Sequence, residues 1–335
     1  MSVTDVQAWL LDSDTSLRWQ AERDLVGAPP QVWEETRRRV ATEGFGARLL
    51  ALQDDDGQWA GGTYFPSDAT REEPGQPWTA TTWSLNALRE WGLDAAVLRT
   101  RDTVEKLART RWDYDDLPFW GGEVDVCING YTLANGVWLG ADVAPLAAWF
   151  VEHQLADGGW NCEWVEGATA SSIHSTLHAI EALLAHEIAT GGTEATRAAR
   201  RGGEEYLLER HLWRRRRDGR QIDECVAHFT YPYRWVYNVL SALDHFRAAA
   251  LHDGVPPDPR LSEAVEMVRA ARQPDGTWLQ GEPHEGRVWF DVDAPTGQPS
   301  KWLTFHASRV LAWWDHAAGE DAGPRSAAAS PAGGR

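Results

Sequence analysis

The feature that most restricts the fold of this chain is a short turn that recurs along it. Gln53-Asp-Asp-Asp56-Gly57-Gln-Trp59 and Gln154-Leu-Ala-Asp157-Gly158-Gly-Trp160 both read Q-x-x-D-G-x-W, and Arg272-Gln-Pro-Asp275-Gly276-Thr-Trp278 keeps the second half. Asp-Gly supplies a turn with positive φ. The tryptophan can then pack over the end of the preceding helix while the glutamine bonds loop backbone. Weaker copies stand at Trp112-Asp113-Tyr114-Asp115-Asp116 and Arg217-Asp218-Gly219. A chain of 335 residues with 20 tryptophans has a repeated packing role for them, or an aromatic-lined cavity.

Between the turns the pattern is helical, with no sustained period-two alternation. Helices are predicted over 3–12, 15–25, 30–52, 78–91, 95–110, 125–139, 143–154, 172–187, 193–210, 233–248, 259–272 and 301–316. Pro30 and Pro259 in first turns support the starts, as do Asp125, Ser172 and Ser300 as N-caps. Two kinds of helix alternate. The segments 78–88, 173–184 and 302–314 are apolar nearly all round and read as buried, whereas 32–40 and 195–208 carry a charged face and read as outer helices. Alternation of this kind is what concentric inner and outer rings produce.

Charge and composition narrow the partners. A net charge of -18 opposes general binding of nucleic acid or adsorption to an anionic membrane, since both need a basic face. No apolar run approaches the roughly 20 residues of a membrane span, and Met1 to Leu10 lacks the features of a secretion signal. Cys127, Cys162 and Cys225 make no disulfide framework and read as thiols or ligands in a reducing compartment. The expectation is a soluble cytoplasmic protein with no nucleic-acid partner and no integral membrane segment. Residues 317–335, rich in Ala, Gly, Ser and Pro, read as a disordered tail behind one domain spanning 1–316.

The repeated Q-x-x-D-G-x-W after outer helices resembles the QW motif of the α/α-toroid superfamily, which holds squalene and hopene cyclases and protein-prenyltransferase β subunits. The resemblance implies an all-α (α/α)6 toroid with its cavity at one end of the inner helices. In such a fold the first turns of consecutive inner helices lie side by side, so Asp125 and Cys127 could meet His174, with Cys162 on the loop between. Carboxylate, thiolate and imidazole are zinc ligand types, and three protein ligands with an open position make a catalytic site. Asp125-x-Cys127 and His174 are also similar, residue by residue, to the zinc ligands of prenyltransferase β subunits, where the metal activates an attacking thiolate. Cys162 has no counterpart there and is an alternative to Asp125. The loop before Asp125 departs from those subunits in having no Lys or Arg to hold a diphosphate. Gln76-Pro77-Trp78 resembles a Pro-Trp start of an earlier inner helix.

Asp113-Tyr-Asp115-Asp116 matches, as a string, the Asp-x-Asp-Asp of class II terpene cyclases, which would make Asp115 and Asp116 candidate acids. It sits in a turn where a solvated acidic cluster is the plainer reading, and Leu117-Pro118 stands where Thr-Ala usually follows. Trp78, Arg234, Tyr237, Trp302 and His306 fall at inner-helix mouths as candidate pocket residues. Cys225 and His228 form a weak second ligand pair.

The leading expectation is a zinc-dependent enzyme of this superfamily acting on a small, apolar, isoprenoid-like ligand. The alternatives are a metal-free cyclase with an aspartate acid, and a non-catalytic toroid binding module without a deep cavity.

Overall fold

The computed structural model describes residues 3–112 and 116–321. Its helices are α1 (Val3–Leu11), α2 (Thr15–Asp24), α3 (Pro30–Arg39), α4 (Gly44–Leu50), α5 (Thr81–Glu90), α6 (Ala95–Arg99), α7 (Thr103–Leu107), α8 (Val126–Leu139), α9 (Ala144–Glu152), α10 (Ile173–Thr190), α11 (Glu194–Leu208), α12 (Val239–Asp253), α13 (Ser262–Ala270) and α14 (Lys301–Asp321). Among the described residues the extended structure is slight: Trp278–Leu279 pairs antiparallel with Pro299–Ser300, and a few isolated bridges close turns. The fold is all-α.

Packing follows the alternation of the sequence. Helix α5 lies on α8, α8 on α10, α10 on α12, α12 on α14, and α14 on α2. Trp19 Nε1 and Gln20 Nε2 of α2 donate to the carbonyls of Trp91 (2.8 Å) and Glu90 (3.1 Å), tying α2 to the end of α5. The striped helices α3, α11 and α13 pack against α2, α10 and α12 respectively. The α8–α10 contact is close because Gly130 has no side chain: a Cβ there would lie 2.8 Å from the His178 carbonyl oxygen.

The three Asp-Gly turns share one wiring. Trp59, Trp160 and Trp278 are fully buried. Each indole N–H donates to a carbonyl at the end of the preceding helix, Leu49 (2.9 Å), Phe150 (2.8 Å) and Val268 (2.8 Å). Each backbone N–H donates to a threonine hydroxyl in the first turns of the next apolar helix: Thr81 (3.1 Å), Thr176 (3.1 Å) and Thr304 (3.0 Å). Gln53 and Gln154 donate to the carbonyls of Gly57 and Gly158, whose φ of 89° and 93° are ones glycine adopts freely. In the third turn Arg272 reaches Gly276 instead.

Several expected boundaries change. The helix expected over 30–52 breaks at Gly44, φ 63°, where the Asp14 carboxylate caps the new start by accepting from Phe45 N at 3.0 Å. A side chain at Gly44 would collide with that carboxylate. The helix expected over 95–110 breaks at Asp102, φ 56°. The helix expected from Tyr233 starts at Val239, because Asn238 and Ser241 form a reciprocal capping box. Residues 231–238 are therefore a non-helical strap. Asp125 and Ser172 occupy N-cap positions without accepting the capping bond, whereas Ser300 accepts from Leu303 N at 2.9 Å. Helix α14 runs to Asp321, into the segment expected to be a tail; the remainder of that segment lies outside the described residues.

Candidate functional site

Two clusters of chemistry-bearing side chains lie at the helices that the sequence singled out. The first is a thiol cluster. Cys127 stands in the first turn of α8, with its Sγ 3.7 Å from Cys162 Sγ. Cys162 opens a 3₁₀ turn, Cys162–Glu166, whose start is capped by the Asn161 side chain. Its Sγ accepts from Ser175 Oγ at 3.3 Å, and its own N–H donates to that hydroxyl at 3.1 Å. Donation from Cys127 and Ser175, against the opposing effect of burial, holds the Cys162 thiol down to about 7. The same hydrogen bond, together with burial, pushes the Cys127 thiol far up. Cys162 is thus the more acidic thiol of the pair. Burial raises the Asp125 carboxyl while its interaction with Cys162 opposes the rise.

His174 is engaged elsewhere. Its Nδ1 accepts from Tyr237 N at 3.0 Å, and its Nε2 faces Cys225 Sγ at 3.9 Å. Burial holds the ring below its usual range, hence neutral. With Nδ1 accepting, the one ring proton sits on Nε2, so neither nitrogen offers a free lone pair to a metal. Two tetrahedral zinc thiolates with bonds of about 2.3 Å would be about 3.8 Å apart, a spacing the Cys127–Cys162 pair fits. Cys127, Cys162 and His174 are not among the groups of described residues whose ligand atoms all lie within 4.8 Å of one another. Among the described residues the group that meets that spacing is Glu187, His252 and Asp253. There the guanidinium of fully buried Arg200 donates to Glu187 (2.9 Å) and Asp253 (2.8 Å) and already supplies the cation.

The second cluster lines a cavity of about 410 Å³ between the apolar helices. Trp78, Trp83, Tyr131, Trp289 and Phe290 form its aromatic wall. Trp78 and Trp83 meet edge to face at 4.7 Å, and Trp83 packs on Tyr131 at 5.4 Å. Tyr64, also against Trp83, separates this wall from the thiol cluster, whose Cys127, Cys162 and Asp125 help raise its hydroxyl after burial itself. Glu90, Tyr231, Tyr233, Arg234, His306 and Asp244 also line it.

Glu90 leaves 39 % of its side-chain surface open, but the opening is onto the cavity. Enclosure by protein pushes its carboxyl up to about 6, against hydrogen bonding from Tyr231 and the charges of Arg89 and Arg309. His306 is buried and pushed down to about 4 by that burial and by Arg309. Its Nδ1 accepts from Arg309 Nη2 at 3.0 Å, which leaves the proton on Nε2, 3.8 Å from a Glu90 oxygen. His306 Nε2 and the Tyr233 hydroxyl are buried and have no hydrogen-bond partner. Arg309 is held by Asp244 and Asp24.

The structure sorts the expected residues as follows. Trp78, Arg234 and His306 line the cavity. Tyr237 and Trp302 do not: the Tyr237 hydroxyl donates to Leu212 O at 2.7 Å, and Trp302 stacks on Tyr231 and donates to Val292 O at 3.1 Å. None of Asp125, Cys127, Cys162 or His174 lines it. Asp116 is exposed in a turn with φ 51°, and Asp115 lies outside the described residues. Cys225 partners His174, and His228 instead bonds the Glu282 carbonyl at 2.8 Å. Sequence reasoning missed Glu90. Its signal was a charged pair, Arg89-Glu90, on an otherwise apolar helix.

No protein-family model matches the chain, and no curated protein is similar to it. One solved structure, a crystal structure of a protein from Actinoplanes, is similar at 18% identity, covering 91% of this chain and 90% of that one with a TM-score of 0.41. Among the described residues no helix is long and apolar enough to cross a membrane.

Proposed function

We propose that the chain is an (α/α)6 toroid enzyme of the terpenoid-cyclase and prenyltransferase kind, acting on a small, largely apolar substrate in the aromatic cavity. Support for the ring comes from α5, α8, α10, α12 and α14, each packed on the next, with α14 on α2 and α2 hydrogen-bonded to the end of α5. The three tryptophan turns, read as QW motifs, join outer helices to inner ones.

The observation that carries the functional reading is Glu90: a carboxyl opening onto an aromatic cavity that keeps its proton up to about pH 6. Such a group gives and takes protons near neutrality. Positive charge developing on a substrate would face the rings of Trp78, Trp83 and Tyr131. This reading moves the acid from the Asp113–Asp116 stretch to α5. It is tested by incubating the protein with geraniol, farnesol and their diphosphates. Turnover lost in Glu90→Gln but kept in Asp116→Asn supports it; turnover unchanged in Glu90→Gln sinks it.

A second reading keeps zinc, and the 3.7 Å separation of Cys127 and Cys162 favours it. Those thiols would supply two ligands, and the ion would act as a Lewis acid. Because the His174 ring is committed to Tyr237 N, no step is assigned to a metal. Less than about a tenth of an equivalent of zinc in protein never exposed to chelator rules it out.

A further inference from the structure

We propose that the molecule held in the cavity is an apolar monocarboxylic acid, its carboxylate on the guanidinium of Arg234 and its hydrocarbon body along Trp78, Trp83, Trp289 and Phe290. This rests on the reading of the cavity as a substrate site.

The cavity wall carries Arg89, Arg234 and Arg309 against Glu90, Glu181 and Asp244. Arg309 is bound by Asp244 and Asp24. Arg89 donates to Asn135 Oδ1 at 2.9 Å, and after burial its largest influences are Glu181 and Glu90. Arg234 shares with Arg89 the lack of a carboxylate within 4.0 Å among the described residues and a longer-range influence of Glu90, but its guanidinium makes no hydrogen bond there and lies 4.9 Å from the Trp78 ring. Burial pushes it down to about 10. Arg234 is half-buried at the cavity wall, so a guanidinium that makes no ion pair there can take a ligand anion as its partner.

The backbone holds the residue in place for such a role. Arg234 has φ 55°, a conformation that is strained for a non-glycine residue and persists only where neighbours enforce it. They do: the Tyr131 hydroxyl donates to the Arg234 carbonyl at 2.8 Å, His178 Nε2 lies 3.0 Å from the Trp235 carbonyl, and Trp235 Nε1 donates to Gln76 Oε1 at 3.1 Å. The unpartnered Tyr233 hydroxyl and His306 Nε2 show independently that this cavity has polar capacity its own residues leave unused.

The chemistry selects a carboxylate over a diphosphate. One guanidinium edge matches one carboxylate with two parallel hydrogen bonds. A diphosphate brings more negative charge than one free arginine neutralises, and it would face Glu90, Glu181 and Asp244 besides. The volume of about 410 Å³ suits a small molecule.

Calorimetric titration with farnesoic acid, farnesol and farnesyl diphosphate tests the proposal, since the three share one hydrocarbon body. The acid is expected to bind about tenfold or more tighter than the alcohol, the step a charged hydrogen-bond pair supplies, and tighter than the diphosphate. Arg234→Gln should abolish that preference while farnesol binding persists. Should Arg234→Gln fail to bind farnesol, Arg234→Lys decides by weakening the acid alone. Equal binding of acid and alcohol, tightest binding of the diphosphate, or an acid preference surviving Arg234→Gln overturns the proposal and leaves the cavity reading standing. Failure of all three compounds to bind overturns both.

Discussion

The thiol cluster and the aromatic cavity are built from neighbouring turns of the same helices, yet they treat polar atoms in opposite ways. Around Cys162 the donors and acceptors satisfy one another: Cys127 and Ser175 close on its sulfur, and its backbone N–H closes on the Ser175 hydroxyl. Around Glu90 they do not, because Tyr233, His306 and Arg234 keep bonding capacity in reserve. A buried polar group left unsatisfied is costly, so its survival points to a ligand. The contrast argues that binding belongs to the cavity, and that the thiols form a reactive but self-contained neighbour.

Four experiments bear on that contrast. The largest expected effect is on turnover: Glu90→Gln should lower it by about 10²–10⁴-fold, the range of general acid–base catalysis, while Ser175→Ala leaves it within a few-fold. Next comes the frame that holds both regions. Trp160→Ala should cost about 3–5 kcal/mol in urea unfolding, as for other buried aromatics, and Thr176→Val about 1 kcal/mol by stranding the Trp160 N–H. A smaller effect is expected at the thiols. Alkylation of Cys162 by iodoacetamide should follow a midpoint near pH 7, and Cys127→Ala should move that midpoint up toward the ordinary thiol range. A midpoint unmoved by Cys127→Ala would show that the pair is not coupled.

The smallest effect is on the pH dependence of folding. Enclosure raises Glu90 to about 6 from its ordinary 4.5, so the folded state binds its proton more tightly than the unfolded one. Its contribution is fully present below about 4.5 and is lost as pH rises through about 6. Urea midpoints of the wild type at pH 5 and 7 should therefore differ more than those of Glu90→Gln. Asp244, held well below the usual carboxylate range by Arg309 and Arg247 against its burial, titrates outside this window.

What could be read from the sequence was what local chemistry dictates. The Asp-Gly-x-Trp turns, the buried and striped helices, and the nearness of Cys127 to Cys162 all follow from residues close in the chain or from one repeat to the next. The missed features depend on partners far away. Asp14 breaks the expected helix at Gly44 from 31 positions upstream. Tyr237 N–H claims the nitrogen of His174 that a metal would need, through a strap whose non-helical course is set by Asn238. Arg234, named from the sequence as a pocket residue, does line the cavity, but from that strap and not from the mouth of a helix.

The tryptophan turns also set three of the chain's 20 tryptophans apart from those on the cavity. Trp59, Trp160 and Trp278 are sealed from solvent, with each indole N–H committed to a helix carbonyl. Their emission should be blue-shifted, resistant to acrylamide quenching and indifferent to added small molecules until the chain unfolds. Trp78, Trp83 and Trp289 face the cavity and report on its contents.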